Sequence, residues 1–209
     1  MKKLFTTALY LLFAFAIHAQ IKVACIGNSI TVAGYPQILG DILGSKWEVK
    51  NFGVGGTTML RNGDNPYNKT VTYAQAKEFN PAVVVIKLGT NDSKQQNWKY
   101  KNEYTADYNK MISELRALPS HPFIIVCYPV PAYSHGWGIN DSVLRNETIP
   151  MIDEVAKTNG VRKIDLYKAL SHHKEWFPDG IHPGKEGSTE IARVIAKKLK
   201  KWKRKIEKR

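Results

Sequence analysis

Cysteine is scarce in this chain: 209 residues contain two, Cys25 and Cys127. Both fall inside apolar runs that read as the first and fourth strands of a doubly wound sheet. With the third strand between them, two strand spacings of about 4.8 Å exceed the reach of a disulfide, so both are expected as buried free thiols. Long apolar runs are lacking too. The one candidate, Leu4 to Ile17, follows Lys2-Lys3 and ends near a small residue, Ala19. It is too short for a comfortable membrane span and has the form of a signal peptide over 1–19, with cleavage near Ala19, so the mature protein is expected to be exported, periplasmic or secreted. No internal repeat and no linker interrupts 20–209, which reads as a single domain large enough for one core.

Acidic residues are outnumbered, 18 against 31 Lys and Arg. The imbalance is local: 197–209 holds nine Lys or Arg against one Glu, and two more lysines lie in the leader. A charge confined to one terminal segment gives no nucleic-acid surface. Ile191, Val194, Ile195, Leu199, Trp202 and Ile206 recur there at helical spacing, so a basic amphipathic C-terminal helix is expected. Its lysine face is either merely solvated or in weak electrostatic contact with an anionic polymer or lipid surface.

What is present is an alternation of strands and helices. Val23 to Ile26, after Lys22, is an unbroken apolar run of the kind buried on both faces, and it ends at Gly27-Asn28-Ser29. Helical patterns over 36–43, 71–79, 103–118 and 141–157 alternate with strand patterns over 47–52, 82–88, 123–128 and 161–166. A last helix follows Pro183. This predicts a three-layer α/β/α sandwich with a five-stranded parallel sheet of flavodoxin-like kind. Ser29, Gly56 and Asn91 then follow strands one, two and three, and Asp179-x-x-His182 follows strand five. All would gather at the carboxyl edge, where open α/β sheets bind ligands.

Two common motifs are missing. Gly53-Val54-Gly55-Gly56-Thr57-Thr58 has Thr58 where a dinucleotide fingerprint needs its third glycine, so a nucleotide cradle is excluded. Gly27-x-Ser29 has Thr31 where the α/β-hydrolase elbow needs a glycine. No clustering of Cys, His and carboxylates suggests a metal; the neighbours His172 and His173 point apart. Neither metal nor cofactor is therefore expected.

Gly27-Asn28-Ser29, Asn51-x-Gly53-x-x-Gly56, Gly89-x-Asn91-Asp92 and Asp179-x-x-His182-Pro183 resemble, in order and spacing, the four blocks of the SGNH (GDSL-type) hydrolases. The resemblance implies that Ser29 is the nucleophile, His182 its general base and Asp179 the orienting acid, with an oxyanion hole from Ser29, Gly56 and Asn91. Asn28 stands where many members carry Asp, which is taken as a subfamily mark, and Asp92 is expected to brace its own loop. Smaller pieces, Asn51 to Val54 and Pro129-Val130-Pro131 with Trp137 to Asn140, are similar to bacterial sialate and xylan O-acetylesterases. That likeness implies an exported serine esterase acting on acetylated carbohydrate. Trp98, Tyr133, Trp137 and Trp176 are candidate substrate-binding aromatics, which would otherwise simply pack their loops. The competing readings are a lysophospholipase or thioesterase of the same superfamily and a non-catalytic carbohydrate- or surface-binding module.

Overall fold

A computed structural model describes residues 20–208; the leader expected over 1–19 lies outside the described residues. Five parallel strands, β1 (Ile21–Gly27), β2 (Trp47–Gly53), β3 (Val83–Lys87), β4 (Phe123–Cys127) and β5 (Arg162–Ile164), pair in the order β2-β1-β3-β4-β5. Between them run α1 (Ser29–Val32), α2 (Tyr35–Leu43), α3 (Val71–Glu78), α4 (Gln95–Trp98), α5 (Tyr104–Arg116), α6 (Asp141–Val143) and α7 (Ile149–Asn159). After β5 come α8 (Leu166–Leu170) and α9 (Lys185–Ile206).

Side chains alternate across a strand, so one sheet feeds two cores. Val23, Cys25, Val83, Val85, Ile125 and Cys127 face α2 and α9; Ala24, Ile26, Val84, Ile86, Ile124 and Val126 face α3, α5 and α7. The result is the three-layer α/β/α sandwich with a parallel sheet. β3, continuous in apolar residues but for its last, is buried along its whole length. Cys25 and Cys127 are buried free thiols, with β3 between their strands. α9 buries Ile191, Ile195, Leu199 and Ile206, while Trp202 leans on Phe123 with ring centroids 5.9 Å apart.

Two expected elements are divided. The helix expected over 141–157 is split into α6, a π-helical segment Leu144–Thr148 and α7. Pro150 lacks an N–H and its ring crowds the carbonyl four residues back, and the wider π turn before it absorbs both defects. The fifth strand is three residues long instead of six, because the Asp165 side chain accepts from the Lys168 N–H (2.7 Å) and starts α8 where the apolar run would have continued.

Lys87, at the end of β3, is fully buried, and its Nζ has no hydrogen-bond partner among the described residues. Burial pushes its ammonium down to about 7, with the Cys127 thiol acting weakly the other way. Between about 7 and the ordinary lysine value the unfolded chain holds a proton that the folded chain does not, so stability rises with pH across that window. Below it the full cost of burying the charge is present. Lys87→Met is therefore expected to be more stable than the parent at pH 6 and to lose that advantage by pH 10, as urea melts at the two pH values would read.

Candidate active site

The site begins with a close approach that only glycine allows. A Cβ at Gly27 would lie 2.0 Å from the Thr31 Oγ1 and 2.8 Å from the Lys87 carbonyl, so the end of β1 can fold tightly over its neighbour strand and turn at once into α1. Asn28 caps that helix: its buried Oδ1 accepts from the Ile30 N–H at 3.2 Å. An amide thus does the capping an aspartate would do, without a buried charge. Ser29 is left half-buried at the sheet edge.

The loop 179–182 faces it. Asp179 folds back on its own turn, its Oδ1 accepting from the N–H groups of Ile181 (2.8 Å) and His182 (2.7 Å). Its Oδ2 lies 2.7 Å from His182 Nδ1, and His182 Nε2 lies 2.9 Å from Ser29 Oγ. Partial burial works against the Asp179 charge, but the two backbone donors and the imidazole outweigh it and hold the carboxyl below the usual aspartate range. An ionised carboxylate can only accept, so Nδ1 carries the proton and Nε2 is free to accept from the serine hydroxyl. The indole of Trp137 meets the His182 ring edge-on, centroids 5.0 Å apart.

Beside Ser29 lies a cavity of about 270 Å³, lined by Gly56, Asn91 and His182, with Trp137, Ile139 and Ile181 as apolar wall and Lys94 at its rim. Gly56 sits in the left-handed region (φ +76°), which turns its N–H without the strain a side chain would add. Among the described residues no acceptor pairs with the N–H of Ser29 or Gly56. Asn91 gives one amide hydrogen to the Thr57 carbonyl (3.0 Å) and keeps a second for the cavity. The three residues that carry these donors line one cavity beside the hydroxyl, where N–H groups aimed inward can meet negative charge on a carbonyl oxygen under attack.

Asp92 braces a second loop besides its own. It is fully buried and accepts from the N–H groups of Met59 (3.0 Å) and Leu60 (2.8 Å), beyond Gly56, and from its own backbone N–H. Burial pushes its carboxyl up to about 6 against the pull of those donors.

Of the four candidate substrate aromatics, Trp137 alone lines the Ser29 cavity. Tyr133 is turned inward, its hydroxyl donating to the Leu170 carbonyl (2.6 Å) and its ring on Phe177. Trp176 stacks flat on His173 at 3.6 Å and packs against the core. Trp98 is buried, donates its indole N–H to Glu147 (3.0 Å) and borders a separate cavity next door. Each satisfies its polar atom or ring within the protein, which removes it from the mouth of the site. Lys94, Ile139 and Ile181 were not among the candidate site residues, although Ile139 and Ile181 lie inside stretches the sequence singled out; Lys94 lies two residues past Asp92, on the same loop as Asn91.

Residues 25–189 match the GDSL-like Lipase/Acylhydrolase family. The chain belongs to that family. Over 207 aligned residues it is 43% identical to an acetylxylan esterase of Xylanibacter ruminicola, covering 86% of this chain and 43% of that protein, so it spans less than half the length of this relative. Among solved structures it is similar to a carbohydrate acetylesterase from Sinorhizobium meliloti (TM-score 0.70, 17% identity, 87% of this chain and 99% of the other). An aryl esterase from M. smegmatis is similar to the same degree (TM-score 0.71, 17% identity, 88% and 99%). In the GDSL-like family context, Ser29→Ala and His182→Ala are each expected to abolish hydrolysis of an aryl acetate above background while the circular dichroism spectrum stays that of the parent. Asn91→Ala is expected to lower kcat by about 10²-fold, on the order of 3 kcal/mol in the transition state, with KM little changed.

Proposed function

We propose that the protein is a serine esterase that removes O-acetyl groups from carbohydrate through an acetyl-Ser29 intermediate. The observation that carries this is the continuous chain Asp179–His182–Ser29 opening onto one small, largely apolar cavity that also holds Gly56 and Asn91. Ser29 Oγ attacks the ester carbonyl as its proton passes to His182 Nε2, and the oxyanion is met by the Ser29 and Gly56 N–H groups and the Asn91 amide. Collapse expels the sugar alkoxide, which takes the proton back from His182. Water then attacks the acetyl-serine with His182 again as base, releasing acetate and restoring the hydroxyl.

Likeness to an acetylxylan esterase favours an acetylated xylan-type polysaccharide over sialic acid as the substrate. The cavity bordering Trp98, about 590 Å³ and lined by Gln95, Gln96, Lys99, His135 and Asn140, offers the hydrogen-bonding groups a sugar needs. It adjoins the acyl cavity through the consecutive residues Trp137 and Gly138. The acetyl methyl lies against Ile139 and Ile181, and the sugar extends past Trp137. Export is part of the same proposal, supported by the composition of 1–19.

Each methylene that fits an apolar channel adds roughly 0.8 kcal/mol, so a long-chain esterase gains with every carbon while a closed acetyl pocket loses. Measured as kcat/KM on one leaving group from acetate to octanoate, activity is expected to peak at acetate and to fall at least tenfold by butyrate. A maximum at eight carbons would replace this proposal with the lysophospholipase reading.

A further inference from the structure

The edge of the sheet opposite Ser29 holds a second concave site. It is a cavity of about 250 Å³ where β4 and β5 begin, lined by Pro122, Phe123 and Gly160 and by three cationic side chains, Arg116, Arg162 and Lys205. The cations come from three separate elements, the end of α5, the start of β5 and the last turn of α9. Among the described residues no carboxylate lines it.

Part of this charge has a local task. In an α/β sandwich the helices run back against the strands, so α5, α7 and α9 all end at this edge, and each C-terminus brings about half a negative charge. Together they supply about −1.5 against three full positive charges. Among the described residues the remaining charges nearby do not close the gap. Lys157 on α7 and Lys163 on β5 border the adjoining hollow with Trp202, Asp153 there is held by Lys163 and the Tyr128 hydroxyl, and Glu207 is taken by Lys203 at 3.4 Å. Arg116 is also fixed in place, its guanidinium donating to the Asn159 side chain and carbonyl, which leaves its other N–H groups for a ligand.

We propose that this cavity binds the carboxylate of a uronic-acid unit and holds the protein on an acidic polysaccharide. The choice of polysaccharide rests on the proposed function; the site itself rests on the convergence of unbalanced cations in a concavity. Arg116 presents the planar fork that matches a carboxylate, and Arg162 and Lys205 line the same cavity beside it.

The test is retention of the protein on immobilised xylan bearing glucuronic-acid side groups and on debranched neutral xylan, at low salt. Arg162→Glu/Lys205→Glu, with Arg162→Gln/Lys205→Gln as the milder pair, is expected to lower retention on the acidic polymer at least tenfold. Hydrolysis of a soluble aryl acetate should be unchanged in both, which shows that they fold and separates this result from any failure of the esterase proposal. Free glucuronate is expected to elute the parent protein, and inorganic phosphate to do so no better. Equal retention of parent and variants, or equal retention of the parent on neutral and acidic xylan, would overturn the proposal. Elution by phosphate at tenfold lower concentration than glucuronate would overturn the carboxylate assignment.

Discussion

A buried carboxylate ties the site together. Asp92 reaches across from the loop after β3 to accept two backbone N–H groups of the loop after β2, and on either side of this tie sit Asn91 and Gly56. The contact is reinforced from both directions: Asn91 donates to the Thr57 carbonyl, and Asn97 donates to the Asn91 carbonyl (2.9 Å) while accepting from Asp64 N–H (2.8 Å). In the proposed mechanism these groups meet a developing charge, and such donors are effective only if they are already in place, because any reorganisation is taken out of the stabilisation they give. Two surface loops could not hold that spacing by themselves. A desolvated anion with two strong acceptor sites can, since leaving either N–H unpaired in the interior would cost about 1–3 kcal/mol.

The sheet order does the coarser positioning. With β1 flanked by β2 and β3, the loops carrying Ser29, Gly56 and Asn91 leave three adjacent strands at the same edge. The Asp179–His182 loop comes from farther away, after β5 and α8, and is brought in by the loop 129–138: Tyr133 N–H donates to the Gly180 carbonyl (2.7 Å) and Ser134 Oγ to the Asp179 carbonyl (3.0 Å). That loop ends at Trp137, which adopts a left-handed backbone (φ 55°) and exposes its ring at the cavity mouth against His182. An aromatic residue holds such a conformation only where its surroundings require it, and here the requirement is a wall beside the imidazole.

Strand identity and order were legible in the sequence because a parallel sheet covered on both faces writes itself as unbroken apolar runs, as in Val83 to Ile86. Ser29 and Asn91 were legible for a related reason, since each follows such a run within a few residues, whereas Gly56 and the Asp179–His182 pair were legible from the resemblance of their sequence blocks. Side-chain direction in the loops was not. Trp98, Trp176 and Tyr133 look alike to Trp137 in a string of letters, yet Glu147, His173 and the Leu170 carbonyl draw the first three away from the Ser29 cavity. Their partners lie between 3 and 49 positions away, and no local pattern encodes them. Lys87 is hidden for the opposite reason, since a lysine closing a buried strand reads as the point where the chain meets water, whereas this one is fully buried.

The distribution of charge separates two tasks in one small fold. Basic side chains collect where the helices end, at the start of β4 and β5, and the Ser29 cavity has one lysine, Lys94, facing Asp64 at 3.7 Å. A five-residue strand places the two edges roughly 15 Å apart, beyond the Debye length of about 8 Å at physiological salt. Charge at the far edge is therefore too distant to act appreciably at Ser29 or to favour an anionic leaving group there. It can act on a polymer long enough to pass both edges. In the two proposals taken together, a neutral acetyl ester is chosen by the shape of the wall formed by Ile139, Ile181 and Trp137, and the chain that carries it is held by electrostatics elsewhere. Raising salt should consequently weaken attachment to an acidic polymer while leaving the hydrolysis of a small ester untouched.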